Sequence, residues 1–151
     1  MNRKRATYPS LDGRKVFITG GASGIGASLV EAFAAQGAHV GFVDIDLARG
    51  EALAEKLGAW FRAQDVTEPD ALPDVVQEFA GARLDVLGNN AANDTRQAFG
   101  TDTPEEWRQN LAINLDPVAF TTKAALPALR AAQGASVINL SSINAILGPP
   151  D

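Results

Sequence analysis

Short apolar runs alternate along this chain with longer stretches of helical periodicity, and that alternation limits the fold more than any other feature. The runs are KVFIT (Lys15–Thr19), AHVGFVDI (38–45), AWFRAQDV (59–66), LDVLGNNA (84–91) and ASVINLSS (135–142). β-Branched and aromatic residues dominate the first of them, and Gly13 and Gly20 bound it, so it reads as a strand. The stretch GIGASLVEAFAAQG places Ile25, Leu29, Val30, Phe33 and Ala34 on one helical stripe and stops at Gly37. LARGEALAEKLG is a second helix ending at Gly58, and EPDALPDVVQEFAG a third beginning near Pro69. Residues 103–134 form a long helical stretch with Thr103 as cap, Pro104 in the first turn and Glu105 and Glu106 where the helix dipole favours acids. Pro117 and Pro127 are expected to bend or break it, and Phe99 and Trp107 to pack it on the sheet. Repeated strand–helix alternation predicts an α/β fold, a doubly wound parallel sheet with helices on both faces. The second, fourth and fifth runs are almost continuously apolar, as burial on both faces requires.

At 151 residues the chain has room for one domain with a real core and shows no linker to a second. Its formal net charge of −5 gives no help to a nucleic-acid or anionic-membrane partner, and neither is expected. The absence of cysteine removes disulfides, thiolate metal sites and thiol nucleophiles, and suits a reducing cytoplasm. No metal-ligand spacing appears. The basic N-terminus MNRKRATYPS lacks a following apolar region of the kind a signal peptide carries.

The first strand runs directly into Thr19-Gly20-Gly21-Ala22-Ser23-Gly24-Ile25-Gly26, which opens the first helix. A diphosphate needs unpaired backbone N–H groups at a helix N-terminus, and side chains beyond Cβ would hold it off. Glycines allow the tight turn and the close approach, and Gly26 lets the helix press on the sheet. A plain glycine-rich turn without a ligand is the alternative; the strand–turn–helix setting favours the phosphate-binding one. Asp44 lies 18 residues past Gly26, at the end of the second strand, where a ribose-binding carboxylate belongs. A carboxylate there repels a 2′-phosphate, and no arginine follows at once; Arg49 is five residues further. The expected cofactor is therefore NAD(H) rather than NADP(H). Asp46 is placed to cap the second helix, which leaves Asp44 for the ribose.

TGGASGIG, Asp44, Asp65–Val66, NNAA at Asn89–Ala92, Asn114 and INLSS at Ile138–Ser142 together resemble the short-chain dehydrogenase/reductase family, in order and in spacing. The glycines at 20, 24 and 26 match that family's TGxxxGxG, and the resemblance covers the chain from Leu11 to Asp151. Within the family, YPSLDGRKVFITGGASGIG and NNAANDTR look most like bacterial NAD-dependent sugar 1-dehydrogenases of the D-xylose type. The resemblance implies the first five strands of a Rossmann-type sheet. It also implies a cofactor site made of Gly20, Ser23, Gly24, Ile25, Gly26, Asp44, Asp65, Val66 and Asn89. Asp65 would bond the adenine amino group with Val66 beside the ring, and Asn89 would line the cleft. Ser142 would bond the substrate's reacting oxygen, and Asn114 would hold a water in the proton relay. Each has a plainer alternative. Asn89 and Asn90 can pin loop backbone, Asn114 can mark a kink beside Pro117, and Ser141 and Ser142 can cap a turn. Ala92 stands where the family usually has glycine, and a small local adjustment is expected there.

The implied activity is hydride transfer between a nicotinamide and a small hydroxyl or carbonyl substrate, an aldose among them. The family's acid/base tyrosine, and the lysine one helical turn after it, would fall beyond Asp151, while the chain's one tyrosine, Tyr8, precedes the first strand. The expectation is therefore a cofactor-binding part, truncated at its C-terminus and incompetent in catalysis alone, with the last strand left as an apolar edge. The full-length form would be a homo-oligomer. A non-catalytic NAD(H)-binding module or redox sensor is the rival reading. His39, the single histidine, reads as structural; Asp70, Asp74 and Glu78 read as a solvated helix face; Asn93–Arg96 reads as either a substrate contact or a solvated loop.

Overall fold

The computed structural model describes residues 6–93 and 103–142. Five strands form one sheet: β1 (Lys15–Thr19), β2 (His39–Asp44), β3 (Trp60–Ala63), β4 (Val86–Asn89) and β5 (Ser136–Asn139). Their order is β3-β2-β1-β4-β5, all parallel, so the chain reverses direction across the sheet between β1 and β4. The helices are α1 (Gly24–Ala34), α2 (Leu47–Leu57), α3 (Leu72–Ala80), α4 (Pro104–Asn114) and α5 (Asp116–Ala131).

The two-residue period of β1 divides the core. Val16 and Ile18 join Val30, Val40 and Phe42 on the α1/α2 face, while Phe17 joins Val43, Val75, Leu87 and Leu129 on the α3/α5 face. Burying side chains such as Phe17, Ile18 and Phe42 contributes about 1.5–3 kcal/mol each. Asp46 caps α2 by accepting the Arg49 N–H, and Gly58 ends it in the left-handed region at φ 66°. Thr103 and Glu106 form a reciprocal capping box at the start of α4. The Thr103 N–H and hydroxyl hold the Glu106 carboxyl below its ordinary pKa.

Several expectations are corrected. The third helix starts at Leu72 rather than near Pro69, because residues 65–71 close turns first (Glu68 N–H to Asp65 O, 3.3 Å; Ala71 N–H to Glu68 O, 3.2 Å). The long stretch breaks into two helices at Leu115, with Pro117 taking an early position of α5, while Pro127 sits inside α5 without ending it. Trp107 does not pack on the sheet; it is 59% exposed. Phe99 lies outside the described residues. Ile25 leaves its predicted stripe and is 66% exposed at the mouth of the sheet. The fifth apolar run is not buried on both faces as expected: all four residues of β5 are exposed, and among the described residues that strand pairs only with β4.

Opposite the strand ends that matter for function, Asp85 is a buried node. It accepts from Arg14 Nη1 at 2.8 Å and the Lys15 N–H at 2.9 Å, and lies 3.2 Å from Arg83 Nη2. Burial pushes its carboxyl pKa up; the Lys15 and Arg14 hydrogen bonds and the two guanidinium charges outweigh it and hold the pKa below the ordinary value. Among the described residues no helix is long and apolar enough to cross a membrane.

Candidate functional site

A cleft of about 860 Å³ opens at the carboxyl ends of β1, β2, β3 and β4, where an open α/β sheet places its ligands. Its floor is the turn after β1. Gly20 and Gly21 donate their N–H groups to Val43 O at 2.8 and 3.1 Å, and Ala22 donates to Asp44 Oδ2 at 2.9 Å. The following four amides, Ser23 to Gly26, take no partner among the described residues. Ser23 is the N-cap of α1 yet makes no side-chain cap bond. These four residues line the cleft, the first three exposed and Gly26 buried, so their N–H groups and the positive end of the α1 dipole gather at its floor. Gly24, at φ 54°, would carry a Cβ into open space with no heavy atom within 4 Å. A Cβ at Gly26 would collide with Gly20 O, and one at Gly20 would come to 2.8 Å from Ala91 Cα. The turn is a bare cradle on its outer side and close-packed on its inner side, which fits a diphosphate.

The second loop locks to the first. Thr19 is buried, and its hydroxyl oxygen accepts the N–H groups of Asn90 at 3.0 Å and Ala91 at 3.1 Å. Asn90 Nδ2 donates back to Thr19 O and Gly20 O. Asn90, Ala91 and Ala92 line the cleft; Asn89 does not. Asn89, expected in the lining, is 4% exposed behind it, donating to Asn139 Oδ1 at 2.8 Å and Thr122 Oγ1 at 3.2 Å. Adjacent strand residues point to opposite faces, so the pair divides its labour: Asn90 builds the wall and Asn89 ties β4 to β5 and α5.

At the far rim Asp44 accepts on both oxygens, from Ala22 N–H and from Asp46 N–H at 3.0 Å. It thus shapes the glycine turn while keeping a partly exposed carboxylate on the cleft. Beyond β3, Asp65 Oδ1 accepts from the Thr67 N–H and hydroxyl, both at 2.8 Å, and Val66 lies beside it on the lining. Sequence reasoning missed Gln64. It is buried, lines the cleft, and donates to Asp65 O at 2.8 Å and Glu68 Oε2 at 3.0 Å, fixing the turn that presents Asp65.

The structure brings Gly20, Ser23, Gly24, Ile25, Gly26, Asp44, Asp65 and Val66 together on one cleft. Asn114 stands at its margin as the last residue of α4. Its Oδ1 accepts the Asn93 N–H at 2.9 Å, so it ties the β4 loop to α4. Ser142 is exposed beyond the end of β5 and is not part of the lining. Arg96 and the rest of 94–96 lie outside the described residues.

The comparisons agree with this geometry. The short chain dehydrogenase family model matches residues 14–150. The chain is 41% identical to a probable galactose dehydrogenase of Rhizobium meliloti (strain 1021), covering 100% of this chain and 62% of that protein. It is 39% identical to a D-xylose 1-dehydrogenase of Caulobacter vibrioides (strain NA1000 / CB15N), covering 97% and 60%. A solved NADH-dependent reductase described as responsible for alginate metabolism superposes with a TM-score of 0.87 at 29% identity, covering 95% of this chain and 64% of that one. The chain therefore spans less than two thirds of the length of these proteins. With a family match over residues 14–150 and the glycine turn, Asp44 and the β4 loop on one cleft, this chain belongs to the short-chain dehydrogenase family.

Proposed function

We propose that residues 1–151 are a single dinucleotide-binding domain of an NAD(H)-dependent oxidoreductase that moves a hydride between the nicotinamide and a small hydroxyl or carbonyl compound, an aldose foremost. The observation that carries this is the run of four amides from Ser23 to Gly26, unpartnered among the described residues, at the start of α1 on the lining of the cleft. Bound there, the cofactor supplies hydride chemistry; the chain supplies position. The α1 amides hold the diphosphate, Asp44 accepts from the ribose hydroxyls, and Asp65 and Val66 flank the adenine. Asp44 favours the unphosphorylated ribose by charge, and the likeness to a protein described as NADH-dependent supports the same preference. The galactose and D-xylose dehydrogenase relatives support an aldose. Asn114 serves by fixing the β4 loop, and Ser142 by meeting the substrate oxygen. No phenol stands at the cleft: Tyr8 precedes β1 and bonds through its N–H to Gln36 near the end of α1.

Two measurements test this. Titration calorimetry of the chain with NADH is expected to give saturable heat; folded chain with no heat rejects the site. A chimera in which residues 1–151 replace the matching segment of the galactose dehydrogenase relative is expected to reduce NAD+ with an aldose. A folded chimera that binds NADH but turns over no aldose rejects the oxidoreductase reading and leaves a binding module.

A further inference from the structure

The rim beyond the ribose position carries a second acid whose role the fold does not exhaust. Asp46 lines the cleft next to Ile45 and Asp44. One of its oxygens caps α2 by accepting the Arg49 N–H at 3.0 Å, and the other lies 3.4 Å from Arg49 Nε. Among the described residues no lysine or arginine lines the cleft; Arg49 stands one helical turn behind this rim.

We infer that Asp46 is a second determinant of nucleotide choice, acting by neutralising Arg49 so that this rim does not attract a 2′-phosphate even when Asp44 is removed. The inference rests on the NAD(H) reading above and deepens it. Two carboxylates against one guanidinium leave the rim net negative. Removing Asp44 alone leaves one of each sign, a neutral rim. Removing the Asp46 charge as well leaves the guanidinium unopposed, beside the N-terminus of α2, whose dipole adds to it. A guanidinium is also the side chain best shaped to grip a phosphate. The Asp46 and Arg49 side chains are 38% and 70% exposed, so their pairing is a weak clamp. Asp46 therefore acts through charge balance, which reaches a doubly charged phosphate across several ångströms.

Asn caps helices about as well as Asp, so Asp46→Asn removes the charge and keeps the cap. Affinities for NADP+ and NAD+ are measured by calorimetry at low salt on the wild-type chain, Asp46→Asn, Asp44→Ser, Asp44→Ser/Asp46→Asn and that double variant with Arg49→Gln. Circular dichroism checks folding. Asp44→Ser alone is expected to weaken NAD+ without a matching gain for NADP+. Adding Asp46→Asn is expected to tighten NADP+ by about tenfold over Asp44→Ser. Arg49→Gln removes that gain, and so does about 0.5 M salt. Because Asp44 also holds the turn, Asp46→Asn alone is the second arm: its NADP+ to NAD+ affinity ratio is expected to rise by about threefold over wild type. A wild-type chain selective for NAD+ whose Asp46→Asn variants gain no NADP+ affinity, or gain it equally without Arg49, overturns this inference alone. A wild-type chain that binds neither nucleotide, or both equally, overturns the underlying reading as well.

Discussion

Thr19 and Asn90 clasp each other across the point where the chain reverses direction in the sheet: the Thr19 hydroxyl accepts the Asn90 N–H at 3.0 Å, and Asn90 Nδ2 donates to Thr19 O at 3.1 Å. They are 71 residues apart in sequence. Thr19→Val keeps the shape and strands two N–H groups, of Asn90 and Ala91. A loss of about 1–3 kcal/mol in urea-denaturation stability is expected, with weaker NADH binding. Unchanged stability would show that water replaces the hydroxyl.

The glycines of the turn should not respond alike. Gly24→Ala meets open space, so its stability cost is the left-handed backbone, about 1–2 kcal/mol. Gly26→Ala drives a methyl into Gly20 O and displaces the helix from the turn. Gly26→Ala is expected to lower the melting temperature more, and both to weaken NADH binding. The reverse order in a thermal melt contradicts the packing described.

Asn89 lies behind the cleft wall, so Asn89→Ala tests the division of labour with Asn90. It removes the bonds to Asn139 and Thr122. About 1–2 kcal/mol of stability should go, while NADH affinity per folded molecule stays within about threefold. A collapse of affinity in folded protein would put Asn89 back on the nucleotide.

Asp85 sets an acid dependence. Its folded pKa lies below the unfolded value of about 3.9, so its stabilisation is fully present above that value and is lost as pH falls through the folded pKa. Asp85→Asn is expected to cost about 1–3 kcal/mol near neutrality. The gap from wild type should narrow as pH drops below about 4 in chemical denaturation series. A gap independent of pH would mean that the charge of Asp85 contributes nothing.

What the sequence disclosed was local. Glycines at a strand–helix junction, Asp46 and Thr103 as caps, Gly58 as a stop and Pro117 as a break each act within a few residues, and each stands where its chemistry places it. What it hid was tertiary. That Asn90 rather than Asn89 faces the cleft depends on the strand's register in the sheet. The roles of Thr19 and Asp85 depend on partners about seventy residues away, and Gln64 is anchored only once the turn after β3 has closed. Trp107 is a large apolar residue within a helical stretch, but periodicity does not say what covers it, and among the described residues no residue of α4 is buried.

That last feature makes the cleft lopsided. Its floor is cross-linked by side chain and backbone from β1 to β4, whereas the wall supplied by α4 (Gln109, Ala112, Ile113) rests on a helix without one fully sheltered side chain. Amide exchange should therefore be slow at Asn90 and Ala91 and fast along α4. The entropy surrendered when a ligand settles would then be drawn mainly from that outer helix, leaving the glycine cradle as stiff empty as full.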